Sequence, residues 1–180
     1  MVELIFFERA NVKQLINWIE TPEFLLQWGG PAFRFPLDEQ QLESYLENAN
    51  KDYSTIFVYS VIEKETRKVI GHISLGKIDR LNRSARIGKV LVGEKSKRGQ
   101  GIGQQMMTEI LKVAFEELRL HRVSLGVFDF NVAAIACYEK LGFVKEGLLR
   151  ESRKMGDQYW SSWEMSILEH EWFERDKVLV

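Results

Sequence analysis

Between residues 54 and 120 the period of the apolar positions changes once, from two to about 3.6, and the change falls on a basic, glycine-rich loop. Before the loop lie three β-prone segments, 54–62 (STIFVYSVI), 69–78 (VIGHISLGKI) and 85–92 (ARIGKVLV). The breaks between them, 63–66 and 79–82, are short and polar, which predicts an antiparallel meander. After the loop Ile102, Met106, Ile110, Ala114 and Leu118, with Met107 and Leu111 beside them, predict an amphipathic helix over 101–120. A meander that feeds such a helix must bury the apolar stripe on the sheet, so the chain is neither all-α nor all-β.

The flanks extend this pattern. Residues 2–7 are β-prone, and Asn11 stands as a cap before Val12, Leu15, Ile16 and Ile19, whose helix Thr21-Pro22 is expected to end. Residues 24–36 (FLLQWGGPAFRFP) show neither period and read as an ordered loop. Leu37, Asp38, Gln41 and Leu42 then supply a staple and a capping pair for a helix through Leu46. Downstream, 122–128 reads as a strand and 131–141 as a helix capped by Asn131 and stopped by Gly142. Residues 143–149 and 159–168 read as two strands around the polar turn 154–157. The order β-α-α-βββ-α-β-α-β-β is an α+β arrangement, a central mixed, mostly antiparallel sheet with helices on both faces. With no internal repeat, low-complexity run or linker, residues 1–180 are expected to form a single domain.

Charge and cysteine usage narrow the partners. Lys+Arg at 25 against Asp+Glu at 26 leaves a formal net charge of −1, without the basic field that nucleic acid or an anionic membrane would require. A small molecule is the expected partner. Cys137 is the only cysteine, which excludes an intramolecular disulfide and points to a reducing, cytoplasmic location. His72, His121 and His170 lie too far apart for a local metal-ligand spacing, so no metal is expected. The apolar stretch at 4–7 is too short for a signal peptide or a membrane span.

The chemistry concentrates in 90–103 (VLVGEKSKRGQGIG), which runs from an apolar strand into a helix. Gly99, Gly101 and Gly103 remove the Cβ atoms that would hold a ligand away, and successive N–H groups at a helix start attract an anion such as a diphosphate. Lys97 and Arg98 add positive charge. The alternative is a glycine-rich turn with no ligand. The stretch is not a G-x-x-x-x-G-K-[ST] loop, nor G-x-G-x-x-G, because its third glycine comes one residue early.

Arg98-Gly99-Gln100-Gly101-Ile102-Gly103 satisfies [QR]-x-x-G-x-[GA] and resembles the acetyl-CoA loop of the GNAT N-acetyltransferase superfamily. Residues 131–143 (NVAAIACYEKLGF) are similar to its second signature, N-x-x-A-x-x-x-Y-x-x-x-G-F. Residues 147–151 (GLLRE) and 163–168 (WEMSIL) resemble the branch of ribosomal-protein N-terminal and polyamine acetyltransferases, so the likeness covers about 4–172. It implies a GNAT-like fold and transfer of acetyl from acetyl-CoA to a primary amine by direct attack in a ternary complex. The acceptor would be a small amine or polyamine, or a protein N-terminal amine.

The resemblance also implies roles. The fourth strand would carry a bulge and splay from the fifth, with Leu91 and Val92 offering main-chain groups to the pantetheine and the thioester carbonyl. Arg98, Gly99, Gln100, Gly101, Ile102 and Gly103 would hold the diphosphate, and Asn131 would both cap its helix and contact the cofactor. Tyr138 would protonate the departing CoA thiolate, its competing role being an aromatic filler between helix and sheet; Cys137 is expected to pack in the core. Family members often carry a glutamate base on the fourth strand. Here that position falls at or next to Arg86, leaving a water chain, Glu94 or Glu164 to take the proton. The acceptor side would be built from residues 24–35 with Tyr159, Trp160 and Trp163, and lined by Trp28, Phe33 and Phe35. Exposed sheet edges in such folds often make a homodimer. Two other readings compete: a catalytically weak acetyl-CoA-binding regulatory module, and a protein using the same loop for ATP or NAD.

Overall fold

The computed structural model describes residues 1–175. Strand β1 (Val2–Phe6) leads into α1 (Val12–Trp18), α2 (Pro22–Gly29) and α3 (Glu39–Leu46). The meander follows as β2 (Phe57–Glu63), β3 (Val69–Asp79) and β4 (Ser84–Val92). Then come α4 (Ile102–Lys112), β5 (Arg122–Phe128), α5 (Val132–Lys140), β6 (Val144–Met155), β7 (Gln158–Leu168) and α6 (Glu169–Arg175).

The seven strands form one sheet in the order β1-β2-β3-β4-β5-β7-β6. Every neighbouring pair is antiparallel except β4 and β5. The mixed, mostly antiparallel sheet expected from the sequence is therefore present, with a core on each face. One core sets Met106, Met107, Ile110 and Leu111 of α4, and Phe115 after it, against Ile73, Leu75, Ile87, Val123 and Leu125. The other packs Leu15, Leu25, Trp28 and Leu42 of the first three helices on Val58 and Leu91. Full burial of each such side chain is worth about 1.5–3 kcal/mol, so packing holds α4 more firmly than helix propensity does.

Four local readings change. Thr21-Pro22 begins a helix: the Thr21 hydroxyl accepts the Phe24 N–H at 3.1 Å, and Pro22 sits at the first helical position, where its missing N–H costs nothing. Much of the expected loop 24–36 is accordingly α2. Asn11 makes no side-chain cap; it closes a 3-10 turn in the right-handed helical region. Asp38 does cap α3, accepting from Gln41 N at 2.8 Å, but the Gln41 side chain turns to the main chain of Arg34 and Pro36. The helix expected through 120 leaves α geometry after Lys112 and passes through a π turn at Val113–Glu117.

Candidate functional site

A gap opens in the sheet between β4 and β5. The two strands pair at only three positions, Ser84 with Arg122, Ala85 with Val123 and Arg86 with Ser124, and then part. A bulge in β4 accompanies the parting: His72 pairs with Leu91 and Ser74 with Gly88, so Lys89 and Val90 together oppose Ile73. Lys89 has φ 51°. Its carbonyl, turned out of the ladder, accepts from Trp28 Nε1 at 2.9 Å and His72 Nδ1 at 3.0 Å. The bulge expected on the fourth strand is thus present and clamped from the α2 side.

The ladder also sorts the main-chain groups. Gly93 N–H donates to Ile70 O on β3 at 2.9 Å, and successive residues of a strand turn their polar groups to alternate sides. Leu91 therefore faces β3, while Val90 and Val92 face the gap. Leu91, expected to offer its main chain to the cofactor, thus turns its polar groups to His72 on β3. The Val92 carbonyl accepts from Arg98 Nε at 2.9 Å, which draws the glycine loop to the mouth of the gap.

In the loop, Gly99 and Gly101 have φ +74° and +75°, and a Cβ on either, or on Gly103, would meet nothing within 4 Å. Gly101 is the residue before α4, and its carbonyl accepts from Gln105 N at 3.1 Å. Among the described residues the N–H groups of Gly99, Gln100, Gly101, Ile102 and Gly103 have no main-chain acceptor. An open helix N-terminus with this many free donors fits a diphosphate. The basic residues contribute less than their number suggests, since Lys95 pairs with Glu20 and Lys97 with Glu63. Gln100 Nε2 binds Ser96 O at 2.7 Å, shaping the turn.

Asn131 caps α5 as expected, its Oδ1 accepting the Ala134 N–H at 3.3 Å. Two turns beyond Asn131, Tyr138 is 8% exposed and lies against Phe143, with ring centroids 6.0 Å apart. Burial raises its pKa above that of a free phenol, so the hydroxyl keeps its proton. Cys137 is partly buried, and burial pushes its thiol upward, away from the thiolate form.

At the position of the expected base, Arg86 holds Glu164 of β7 in a bidentate pair at 2.7 and 2.8 Å. Gly126 of β5 makes room for it: a Cβ there would lie 2.5 Å from the Arg86 guanidinium. Glu164 is therefore already engaged, and Glu94 accepts from the Ser96 hydroxyl at 3.2 Å.

The residues expected to line the acceptor side do not form one cluster. Trp28 stacks on Phe33 at 5.4 Å, near Tyr45 and His72. Trp160 joins Phe128 and Phe130, Trp163 lies under Lys145, and Phe35 and Tyr159 are exposed. Tyr45 and His72, which gather around Lys89 at the β4 bulge, carry no local motif that marks them. The one sequence signal was Gly88-Lys89 within an apolar strand, since glycine inside a strand often marks a bulge.

His72 is fully buried and donates through Nδ1 to a carbonyl, so Nδ1 carries the ring proton; Nε2 has no partner among the described residues. Burial drives its pKa from 6.5 down to about 4. As pH falls through that window the unfolded chain binds a proton that the native site refuses, and stability drops by up to about 3 kcal/mol. The urea midpoint is expected to fall between pH 6.5 and 4, with His72→Asn flattening the slope. An equal slope in both proteins would show that His72 is not its source.

Residues 15–143, which include the β4–β5 gap and the open glycine cradle, match the acetyltransferase (GNAT) family model. The chain belongs to the GNAT family. It is an acetyl-CoA-dependent N-acetyltransferase. It is 30% identical to spermidine N(1)-acetyltransferase of Vibrio cholerae over 172 residues, 94% of each chain. It is 32% identical over 117 residues to the probable N-acetyltransferase YjcK of Bacillus subtilis, an alignment spanning 64% of this chain and 62% of that protein. A crystal structure of the Vibrio cholerae spermidine enzyme with CoA and spermine has the same fold, with TM-score 0.82, 24% identity and coverage of 96% of this chain and 98% of that one. Among the described residues no group of three or more His, Cys, Asp or Glu is placed to hold a metal ion, and no helix is long and apolar enough to cross a membrane.

Proposed function

We propose that this GNAT enzyme acetylates a primary amine of the polyamine class by direct attack on acetyl-CoA. The observation that carries the reading is the early end of β4–β5 pairing, which leaves Val90 and Val92 without a strand partner on the side that leads to the N–H cradle. Acetyl-CoA supplies an activated acetyl group and a thiolate leaving group. Gly99, Gln100, Gly101, Ile102 and Gly103 hold its diphosphate, with Arg98 beside them and Asn131 near the pantetheine arm. The main chain of Val92 orients the thioester carbonyl, and a fixed N–H there stabilises the oxyanion as it forms. Tyr138 donates the proton that the departing sulfur requires. Arg86 and Glu164 hold each other, so the acceptor loses its proton to water.

The 30% identity to a spermidine acetyltransferase across 94% of both chains supports the polyamine class, and a protein N-terminal amine is the competing acceptor. On this reading residues 1–180 act as one acetyltransferase domain in the cytoplasm, for which a single cysteine suits the reducing environment. The exposed edge strand β6 is suited to a homodimer contact. A screen of acetyl-CoA with polyamines, aminoglycosides, amino acids and free-N-terminal peptides, followed by CoA release, is expected to give the fastest transfer with polyamines. Tight acetyl-CoA binding without transfer to any acceptor would instead make the chain a binding module.

A further inference from the structure

We infer that Trp28 and His72 are positioning residues for acetyl transfer: their two ring N–H groups fix the β4 bulge and so aim the main chain of Val90 and Val92 at the thioester. The role rests on the reading above that Val92 orients the thioester carbonyl. Lys89, the first unpaired residue of the bulge, has φ 51°, a conformation that persists in a non-glycine residue only where its surroundings over-determine it. Here both lone pairs of its carbonyl are filled, by Trp28 Nε1 from α2 at 2.9 Å and by His72 Nδ1 from β3 at 3.0 Å. Each donor is itself locked. Trp28 is buried and stacked on Phe33 at 5.4 Å, and the His72 ring lies edge-on to Phe7 at 5.3 Å and to Trp28 at 5.4 Å. The Lys89 side chain is held too, its ammonium lying 4.8 Å from the centre of the Tyr45 ring and 5.5 Å from that of Phe33.

The exit of the strand is pinned as well. Gly93 lies so close to the Trp18 ring of α1 that a Cβ would collide with it, and its N–H donates to Ile70 O at 2.9 Å. Leu91, in between, is paired with His72. With Lys89, Leu91 and Gly93 fastened to β3 and the helices behind it, the polar groups of Val90 and Val92 have one direction left, into the gap. An N–H that already points at the developing oxyanion stabilises it without reorganising, whereas one that must first turn into place gives part of that stabilisation back. Loss of either ring donor frees the Lys89 carbonyl to turn, and the Val90 N–H belongs to the same peptide plane. The effect therefore falls on the transition state and leaves the diphosphate cradle at the start of α4 as it is.

Infrared spectra of acetyl-CoA, labelled with carbon-13 at the thioester carbonyl and bound without an amine, read this aim directly and need no acetyl transfer. Steady-state rates with spermidine and calorimetry with CoA accompany them. In wild type the carbonyl band is expected at lower frequency than in free acetyl-CoA, as an N–H aimed at the oxygen requires. Trp28→Phe keeps an aromatic ring and removes the N–H, and His72→Leu keeps the bulk and removes the donor. Both are expected to lose most of the band shift and to lower kcat about tenfold, with CoA affinity within about twofold of wild type. His72→Asn, whose side-chain amide replaces Nδ1 as a donor, is expected to keep the shift and most of the rate. If Trp28→Phe does not fold, the two His72 variants carry the test. Equal bands in every protein, a loss of CoA affinity in step with kcat, or a His72→Asn variant as impaired as His72→Leu would overturn the role. So would a wild-type band equal to that of free acetyl-CoA. A donor-dependent shift in a protein that acetylates no polyamine would support the role and refute only the acceptor reading above.

Discussion

Replacing Gly101 by aspartate is expected to weaken acetyl-CoA binding by at least about a hundredfold while α4 stays folded. Two effects add. Gly101 has φ +75°, a region that costs an L-residue roughly 1–2 kcal/mol, although Asp tolerates it better than most. The larger effect is charge: a carboxylate about 4 Å from a diphosphate near the surface repels it by about 4 kcal/mol, and each 1.4 kcal/mol is about tenfold in affinity. The same carboxylate at a helix N-terminus favours the helix, so loss of ligand without loss of fold is the expected signature. Gly101→Ala carries the strain without the charge and should lose only about tenfold. Titration calorimetry with CoA separates the two variants, and wild-type affinity in Gly101→Asp would place the diphosphate elsewhere.

Tyr138→Phe is expected to lower kcat about a hundredfold and leave the affinity for acetyl-CoA almost unchanged, because a general acid acts in the transition state and not in binding. The pH dependence carries more information than the drop. Burial raises the phenol pKa, so Tyr138 stays protonated through neutral and mildly alkaline pH and adds no titration there. Wild type and variant should therefore share the rise in rate as the acceptor amine loses its proton. A kcat equal to wild type at every pH would mean that solvent protonates the thiolate and that Tyr138 only fills space beside Phe143.

The parts of the fold visible in the sequence are those where one apolar period runs long enough to be unambiguous, as in β5, α4 and α5. Residues 122–128 match β5 to the residue because Val123, Leu125 and Val127 alternate into the core. Helix α2 was hidden because X-Pro both ends helices and, after a Thr cap, begins them. Helix α6 is short, and its one apolar anchor, Trp172, is buried against Phe115, more than fifty residues away in sequence. Strand β6 runs on to Met155 through residues exposed on both faces, where no alternation is required. The same limit governs the site. The cradle and the Tyr138 helix are local patterns, but the Arg86–Glu164 pair joins β4 to β7, and the rings around Lys89 come from α3 and the segment after α2. Spacing along the chain carries no sign of such pairings; they follow from sheet order and the β4 bulge.

Direct transfer from acetyl-CoA to the amine is tested most directly by initial rates with both substrates varied, together with the intact mass of the protein after incubation with acetyl-CoA alone. Reciprocal plots that intersect, as a ternary complex requires, and a protein of unchanged mass are the expected results. Parallel plots with an acetyl group on Cys137 would contradict direct transfer.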